Sequence, residues 1–391
     1  MIGAPSGVPS QVPALNTHIE SMELAPSLRL GERILTISAD SGLGRLSRAL
    51  KTMIYVIVLN WNGWRDTIEC LESAFRLDYP DYRVIVCDNA STDGSIGKIK
   101  AWANGELDAS AANPELAFLT KPGVPKPIPC FETSASQSDA WREDQTAPLI
   151  LIHCGTNLGF AGGNNVGLRY ALSIGDFEFA WLLNNDTVVT PTALSEMVRR
   201  MGGRPSSGLC GSTLLEYENP GRVQALGGST YNKWMARSGH IGRGISRDNI
   251  LDGEIVESKM KYVIGASMLV RKSFLQKTGL MSESYFLYFE EIDWAIRAKD
   301  QCLLTYAPKS VVYHKEGASV GTAFDRKRRS YASDYYSSRS RMLFTKTHFP
   351  IAYPLVACAL LAGSLFRLAT GNKSGAKAVF SGLKDALHHH G

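Results

Sequence analysis

After residue 53, short apolar runs alternate with segments in which apolar residues recur at helical spacing. The runs Ile54–Leu59, Tyr82–Cys87, Leu149–His153 and Phe179–Leu183 are continuous and apolar, which is typical of strands buried on both faces. Helical spacing follows the first run, in Trp64–Phe75. Short connections from strand to helix to strand favour right-handed parallel units. The sequence therefore predicts an α/β fold with a mostly parallel central sheet flanked by helices.

Past residue 203 the pattern is less regular. Leu209–Tyr217 and Lys261–Val270 favour strands, and Glu290–Lys299 favours a helix that is followed by a short strand at Leu303–Tyr306. We expect these mixed elements to pack on the same core as the first half.

Changes in composition predict the boundaries of three regions. Residues 1–52, rich in Ser, Pro and Gly, predict a poorly ordered N-terminal arm that is at least partly dispensable. Residues 53–320 form the main domain, which a polar, proline-rich insertion interrupts at about 102–148. Residues 321–391 predict a basic, helical C-terminal segment.

The composition is that of a globular protein, since 44% of the 391 residues are hydrophobic and 20% are charged. A net charge of +5 is too modest to imply a nucleic-acid partner. The seven cysteines are scattered without a CxxC pair, which favours a reducing compartment and no disulfide framework. Residues 1–50 lack the apolar core of a signal peptide. We therefore expect a cytoplasmic protein.

Two features near the C-terminus bear on membranes. Between Asp325 and Lys346, seven Lys or Arg residues alternate with aromatic residues; this is either a solvated helical face or a surface for anionic lipid headgroups or a diphosphate. Ile351–Phe366 is apolar but shorter than the roughly 20 residues that a spanning helix needs. We expect a buried or interfacial helix and peripheral contact with the inner face of the plasma membrane.

Polar side chains follow four of the predicted strands at the points where the strands end. In open parallel sheets, ligands bind outside the carboxyl ends of the strands. Each cluster alone fits a turn or a helix cap, because Asn, Asp and Ser favour those places. Four clusters at one edge favour a binding site. In chain order the residues are Asn60; Asp88, Asn89 and Asp93; Asn157, Gly159, Gly162 and Asn164; and Asn184 and Asp186.

Six motifs lie along the chain in the order VIVLNWNG, VCDNASTDGS, NLGFAGGNN, LLNNDT, YFLYFEEIDW and HKEGAS. Through them the region from about Met53 to about Ser319 resembles the inverting family 2 glycosyltransferases of GT-A fold, and most closely their bacterial rhamnosyltransferase-like branch. The resemblance implies transfer of a sugar, with rhamnose as the best guess, from a nucleotide-diphosphate donor. The implied acceptor is a saccharide or a lipid-linked saccharide, and the implied setting is cell-surface polysaccharide synthesis.

The resemblance also implies roles at the donor end. Asn60 and Asp88 would line the nucleoside pocket, while Asp93 would support their loop or cap the next helix. The glycine-rich loop would let backbone approach the nucleotide, and the helix that follows it would favour the diphosphate. The other expected nucleotide-sugar contacts are Asn89, Asn157, Gly159, Gly162, Asn164, Asn184, Gly265 and Ala266, the last two lining the sugar pocket or only kinking a strand.

By the same resemblance Asp186 is the expected ligand of Mg²⁺ or Mn²⁺, ions that prefer oxygen donors. His314 is a further ligand or a structural histidine. The family's usual Asp-x-Asp is replaced here by Asn184-x-Asp186. One carboxylate in place of two predicts a weaker or more substrate-dependent metal site.

Three acids in FEEIDW are candidates for the base that deprotonates the acceptor. The family pattern places the base at Glu291, with Asp293 second. Asp293 can pair with Arg297 at i,i+4, which is a sufficient structural role. Acids also favour a helix N-terminus for electrostatic reasons alone.

Two other functions share parts of this pattern: a nucleotidyltransferase acting on sugar phosphates and a non-catalytic nucleotide-sugar-binding protein. A nucleotidyltransferase would carry a glycine-rich, basic segment directly after the first strand, where this chain has NWNGW. Retention of both Asp186 and Glu291 favours catalysis over binding alone. The sequence leaves the oligomeric state open.

Overall fold

The computed structural model describes residues 52–141, 146–316 and 330–388. The predicted N-terminal arm, apart from its last residue, lies outside the described residues. So do the basic residues Arg326–Arg329 and the end of the HKEGAS motif.

The strands of the described residues form two sheets, and the larger one builds the centre of the fold. The strands are β1 (Met53–Asn60), β2 (Tyr82–Asp88), β3 (Cys130–Ser134), β4 (Leu149–His153), β5 (Phe177–Asn184), β6 (Thr187–Val189), β7 (Ser207–Glu216), β8 (Val223–Leu226), β9 (Gly228–Asn232), β10 (Arg237–His240), β11 (Tyr262–Val263), β12 (Ser267–Arg271) and β13 (Leu303–His314). The large sheet has the order β3-β4-β2-β1-β5-β12-β7-β13-β6, with β8 paired to β7, and the small sheet has the order β10-β9-β11.

The first half of the large sheet is parallel, as the sequence predicts. β1 pairs in parallel with β2 and β5, and β4 pairs in parallel with β2 and β3. β12 then inserts antiparallel between β5 and β7. The carboxyl ends of β1, β2, β4 and β5 therefore meet at one edge, and the expected mostly parallel α/β sheet is confirmed.

Helices cover both faces of this sheet. The helices are α1 (Trp64–Ala74), α2 (Ser95–Asn104), α3 (Gly159–Ile174), α4 (Ala193–Gly202), α5 (Gly253–Lys259), α6 (Lys272–Thr278), α7 (Glu290–Arg297), α8 (Tyr331–His348), α9 (Tyr353–Ala369) and α10 (Lys373–His388). Alternate residues of β1 belong to different cores: Ile54 and Val56 join the apolar faces of α1, α2 and α4, whereas Tyr55 and Ile57 join that of α3. Because successive side chains of a strand point to opposite faces, β1 contributes to the apolar cores on both sides of the sheet.

Two predicted strands and the predicted insertion differ from the structure. Lys261–Val270 is not one strand, because the chain turns at Gly265 and passes from the small sheet, in β11, to the large sheet, in β12. β13 is much longer than Leu303–Tyr306 because an irregularity between Ala307 and Val311, around Pro308, lets pairing with β7 resume. The 102–148 region is more than a loop, since β3 adds a parallel strand to the edge of the large sheet.

The last three helices form a small bundle around an apolar cluster that includes Phe344 of α8, Val356 of α9 and Val379 of α10, and that also takes in Ile292 of α7. Within the described residues, Pro350–Ala369 is the one helical segment whose length and composition would allow it to cross a membrane, with a mean hydropathy of 1.8 and 22% burial. The helical apolar segment is therefore longer than the 16-residue run Ile351–Phe366.

Candidate active site

A cleft of about 500 Å³ opens at the edge where the parallel strands end. Three parts of the chain line it: the strand ends, the loop before α7 with the start of that helix, and the first turns of α8. The lining includes Trp61, Asn89, Asn157, Gly159, Asn184, Asp186, Gly265, Ala266, Phe286, Leu287, Tyr288, Glu290, Glu291, His314, Glu316, Ala332 and Tyr336. The cleft thus joins nine of the fifteen site residues expected from the sequence.

The predicted nucleoside residues of β1 and β2 bond mainly to one another. The Asn60 amide donates to Asp88 Oδ1 at 2.7 Å and accepts from Thr67 at 2.8 Å, with Asn60 fully buried. Asp93 lies on the surface and accepts from the backbone and hydroxyl of Ser95, which is the helix-entry role anticipated as its alternative. These three side chains shape the loops, and their contact with a nucleoside stays a prediction.

Asn89 and Asn157 organise the glycine-rich loop. Asn89 donates to Asn157 Oδ1 and to the Gly159 carbonyl, and it accepts from the Leu158 amide at 2.9 Å. Asn157 accepts from the Gly159 amide, and the Phe286 carbonyl accepts from the next amide, Phe160. The amides of Gly159 and Phe160, the first two of α3, are therefore engaged within the protein, and contact of this helix end with a diphosphate stays a prediction.

Gly159 needs to be glycine for two reasons. Its φ is +70°, and a Cβ at this position would lie 2.1 Å from the Phe286 carbonyl oxygen. This close approach joins the glycine-rich loop to the loop that precedes α7. Gly162 and Asn164 lie deeper in α3, where Asn164 donates to the Phe160 carbonyl, and neither lines the cleft.

Asp186 and His314 meet because the end of β13 pairs antiparallel with β6, placing His314 opposite Thr187. His314 Nε2 lies 3.2 Å from Asp186 Oδ1; Asp186 is buried, and the His314 side chain is 10% exposed. Burial would raise the pKa of Asp186, but the charge of His314 outweighs it and lowers that pKa. Burial would lower the pKa of His314, but Asp186 outweighs it and raises that pKa.

Gln224, a residue with no sequence signal, fixes the tautomer of His314. Its Nε2 donates to Glu316 at 3.1 Å, so its Oε1 must face His314 Nδ1, at 2.9 Å. Nδ1 then carries the proton, and in the neutral imidazole the lone pair of Nε2 points toward Asp186. This is the outer-shell arrangement that orients histidine ligands of metals.

The Asp186–His314 pair fits a divalent metal, because it sets a carboxylate oxygen beside an imidazole nitrogen that Gln224 orients. The described residues place no group of three or more His, Cys, Asp or Glu side chains around a metal position. Substrate phosphates and water would therefore supply the remaining ligands, as is common for Mg²⁺. The Asn184 amide lies at the edge of the site, with Nδ2 3.5 Å from His314 Nε2.

The acidic helix α7 presents two of its carboxylates to the cleft. Glu291 lines it and accepts from the Gly265 amide at 3.2 Å, and burial raises its pKa. Glu290 also lines it, with one buried carboxylate oxygen, Oε2, that has no hydrogen-bond partner. Before them Tyr288 and Phe289 have left-handed backbone, with φ of 68° and 73°, a strained geometry for such residues.

Asp293 points away from the cleft. It pairs with Arg297 at 2.8 Å, as the i,i+4 spacing predicts, and it accepts from His348 of α8 at 2.7 Å. Burial would raise the pKa of Asp293, but these two partners outweigh it and lower that pKa. Glu291 therefore faces the cleft, whereas Asp293 fastens α7 to α8.

Other cleft residues were not selected as site residues from the sequence. Trp61 is 38% exposed and directly follows the end of β1, which is a local signal for a stacking residue. Ala332 and Tyr336 come from α8, where Tyr336 belongs to the basic, aromatic cluster of the C-terminal segment. No local pattern distinguishes Tyr336 from the neighbouring tyrosines.

A model of the family described as "Glycosyl transferase family 2" matches residues 55–112 and 134–279, slightly more than half of the chain. A mostly parallel sheet flanked by helices, with a cleft at its strand ends, agrees with this match and with the resemblance found in the sequence. The chain belongs to glycosyl transferase family 2.

One curated relative is the low-salt glycan biosynthesis hexosyltransferase Agl10 of Haloferax volcanii, 26% identical over 178 residues, which are 45% of this chain and 54% of the relative. The chain thus spans about half the length of this relative. Among solved structures, a mannosyltransferase of Pyrobaculum calidifontis in complex with GDP-Man and Mn²⁺ is 16% identical, covering 88% of this chain and 92% of the other, with a TM-score of 0.45. Residues 1–349 of TarS from S. aureus are 15% identical, covering 75% and 65%, with a TM-score of 0.43.

Proposed function

We propose that the protein is an inverting, metal-dependent hexosyltransferase that moves a sugar from a nucleotide-diphosphate donor to a saccharide or lipid-linked saccharide. One observation carries the proposal: a single cleft joins the Asp186–His314 pair at one place and the Glu291 carboxylate at another. These are the two groups that such a transfer needs, one for the leaving diphosphate and one for the attacking hydroxyl.

At the donor end, Asp186 and His314 would hold Mg²⁺ or Mn²⁺ against the diphosphate. The bound ion would stabilise the negative charge that builds on the departing nucleoside diphosphate. Trp61 lines the same cleft and is suited to the base by stacking, while Asn89 would hold the loop against the nucleotide. We take deoxythymidine-diphosphate rhamnose as the first donor to test, which the rhamnosyltransferase-like motif order supports.

At the acceptor end, Glu291 would take the proton from the attacking hydroxyl. The Gly265 amide holds one carboxylate oxygen, and a Cβ at Gly265 would lie 2.6 Å from that oxygen. A raised pKa suits a general base, because its conjugate acid is then closer to the working pH. Direct attack from the face opposite the leaving group inverts the anomeric centre without a covalent enzyme intermediate.

The test is a screen of purified protein against nucleotide sugars, with and without Mn²⁺ and with chelator, using wild type and Glu291→Gln. We expect the variant to bind the donor normally and to lose about 100-fold to 10,000-fold in transfer rate, the usual contribution of a positioned base. Glu254→Gln, which alters an exposed carboxylate outside the cleft, is the matched control. Full transfer activity in Glu291→Gln would remove Glu291 from the mechanism.

We further propose that the C-terminal bundle holds the protein on the cytoplasmic face of the plasma membrane, where cell-surface polysaccharide is built. Arg367 is the only charged residue between Pro350 and Ala369, and it turns inward to the buried Asp334, at 3.2 Å. The exposed side of α9 is therefore apolar and without charge, with Leu365 and Phe366 65% and 66% exposed. Residues 331–388 carry seven Lys or Arg and two Asp, which favours anionic lipid.

A further inference from the structure

Helix α8, the first of the C-terminal bundle, builds one wall of the cleft, although it lies beyond residue 279, where the family match ends. Ala332 and Tyr336 of its first turns face the cleft beside Phe286, Leu287 and Tyr288. The rings of Tyr336 and Phe286 stack with centroids 4.5 Å apart and planes 20° apart. This wall is apolar and aromatic, unlike the donor end with its imidazole, carboxylate and amides.

Hydrogen bonds between α8 and the loop before α7 hold the wall in place. Ser340 donates to the Leu287 carbonyl at 2.9 Å, and Arg339 donates to the Ser284 carbonyl at 3.0 Å. The hydroxyls of Ser333 and Tyr288 lie 2.8 Å apart. A loop fixed in this way loses little conformational entropy when a ligand binds.

The charges near the wall restrict what can bind there. Glu290 and Glu291 line the cleft together with this wall. A carboxylate that is ionised in this partly buried site repels a diphosphate, whereas both acids accept hydrogen bonds from neutral hydroxyl groups. An aromatic wall beside two hydroxyl-accepting carboxylates fits a neutral sugar ring, whose C–H face packs on aromatic carbon while its hydroxyls reach the acids.

We propose that Phe286, Tyr336 and Ala332 form a subsite for the acceptor's neutral sugar ring, with Tyr336 as its specificity-determining residue. This subsite rests on the proposed function, because it is defined by its position next to the Glu291 base. It places acceptor recognition in the C-terminal segment, apart from the donor groups at the strand ends.

The test measures binding of sugar rings without turnover. A set of methyl glycosides is titrated by saturation-transfer NMR against full-length protein that carries a bound nucleoside diphosphate. We expect Tyr336→Ala to weaken binding of the best glycoside about tenfold and Tyr336→Phe to leave it within about twofold, because the ring supplies the contact. Tyr331→Ala, on an exposed tyrosine of the same helix outside the cleft, should also change binding less than about twofold.

A second variant guards against misfolding of Tyr336→Ala. Ala332 is exposed, so Ala332→Trp should fold and should fill the subsite, abolishing glycoside binding while nucleoside-diphosphate affinity is kept. Unchanged glycoside affinity in both variants would overturn the subsite, as would the absence of glycoside binding to wild type. Equal loss of glycoside and nucleotide affinity would also overturn it. Failure of the proposed function would give a different result. No nucleotide sugar would be turned over, whereas the glycoside titrations would still measure whether a sugar ring binds at the wall.

Discussion

Gln224 offers the sharpest test of the proposed metal site, because it touches neither substrate nor the expected ion. It is 2% exposed on β8 and links His314 to Glu316. In Gln224→Leu a side chain of similar size cannot accept from His314 Nδ1, so the imidazole loses the partner that sets its tautomer. Glu316 loses one donor as well but keeps Arg243 at 3.3 Å.

The size of the effect follows from the loss of that one acceptor. Removing an outer-shell partner of a histidine ligand typically costs 10-fold to 100-fold in metal affinity, or about 1.4 to 2.7 kcal/mol. Leaving a buried Nδ1–H without an acceptor costs about 1 to 3 kcal/mol, which is the same range. We therefore expect Mn²⁺ affinity to fall by about one to two orders of magnitude in Gln224→Leu.

The assay is titration of Mn²⁺ followed by electron paramagnetic resonance, in the presence of a saturating nucleoside diphosphate. Gln224→Glu should bind Mn²⁺ more tightly than Gln224→Leu, because its carboxylate still accepts from Nδ1. Gln301→Leu, at an exposed glutamine outside the cleft, is the control. If Gln224→Leu binds Mn²⁺ within about twofold of wild type and melts normally, the outer-shell role assigned to Gln224 is wrong.

Two further predictions concern α7 and α9. Burial and the adjacent Glu291 raise the pKa of Glu290 well above its ordinary value. The contribution of Glu290 to the stability of the fold is therefore complete only below its unfolded pKa, and it is lost as the pH rises through its folded pKa. Glu290→Gln should therefore raise the Tm relative to wild type above neutral pH but not below about pH 4.3. Calorimetry measures the Tm, and an equal difference between variant and wild type at the two pH values would contradict this prediction. For α9, replacing Leu365 and Phe366 together by Glu should abolish co-sedimentation with vesicles that contain phosphatidylglycerol, while Phe118→Glu, at an exposed apolar residue of the insertion, should not. Normal sedimentation of the double variant would argue against α9 as the membrane contact.

The large sheet could be predicted because its strands carry their own signal. Leu149–His153 has the predicted bounds, and the first, second and fourth runs differ from β1, β2 and β5 by at most two residues at either end. The meeting of the polar clusters at one edge of the sheet could also be predicted, since parallel strands bring their carboxyl ends to the same edge. The antiparallel insertion of β12 could not, because pairing between distant strands depends on partners that local patterns do not identify.

Within the site, local sequence features predict several of the loops that line the cleft, but not which of their side chains face it. The i,i+4 pair of Asp293 and Arg297 is a local feature, and its prediction is confirmed. Asn60 and Asp88 follow strands as expected, yet their side chains bond to each other, and a strand-end position does not reveal this. Tyr336 reaches the cleft only because α8 packs on the loop before α7, a contact between segments about fifty residues apart.

The Asn184-x-Asp186 motif shows how contacts between distant strands change the prediction of metal affinity. Judged from the motif alone, one carboxylate in place of two predicts a weak metal site. The structure brings the other expected candidate, His314, beside Asp186 through the pairing of β13 with β6, and it adds a residue that orients His314, Gln224 from β8. An imidazole held with its lone pair toward the carboxylate can replace the second acid and adds no negative charge beside a diphosphate. We therefore expect metal affinity in this protein to depend on His314 and Gln224 more than on the residue at position 184.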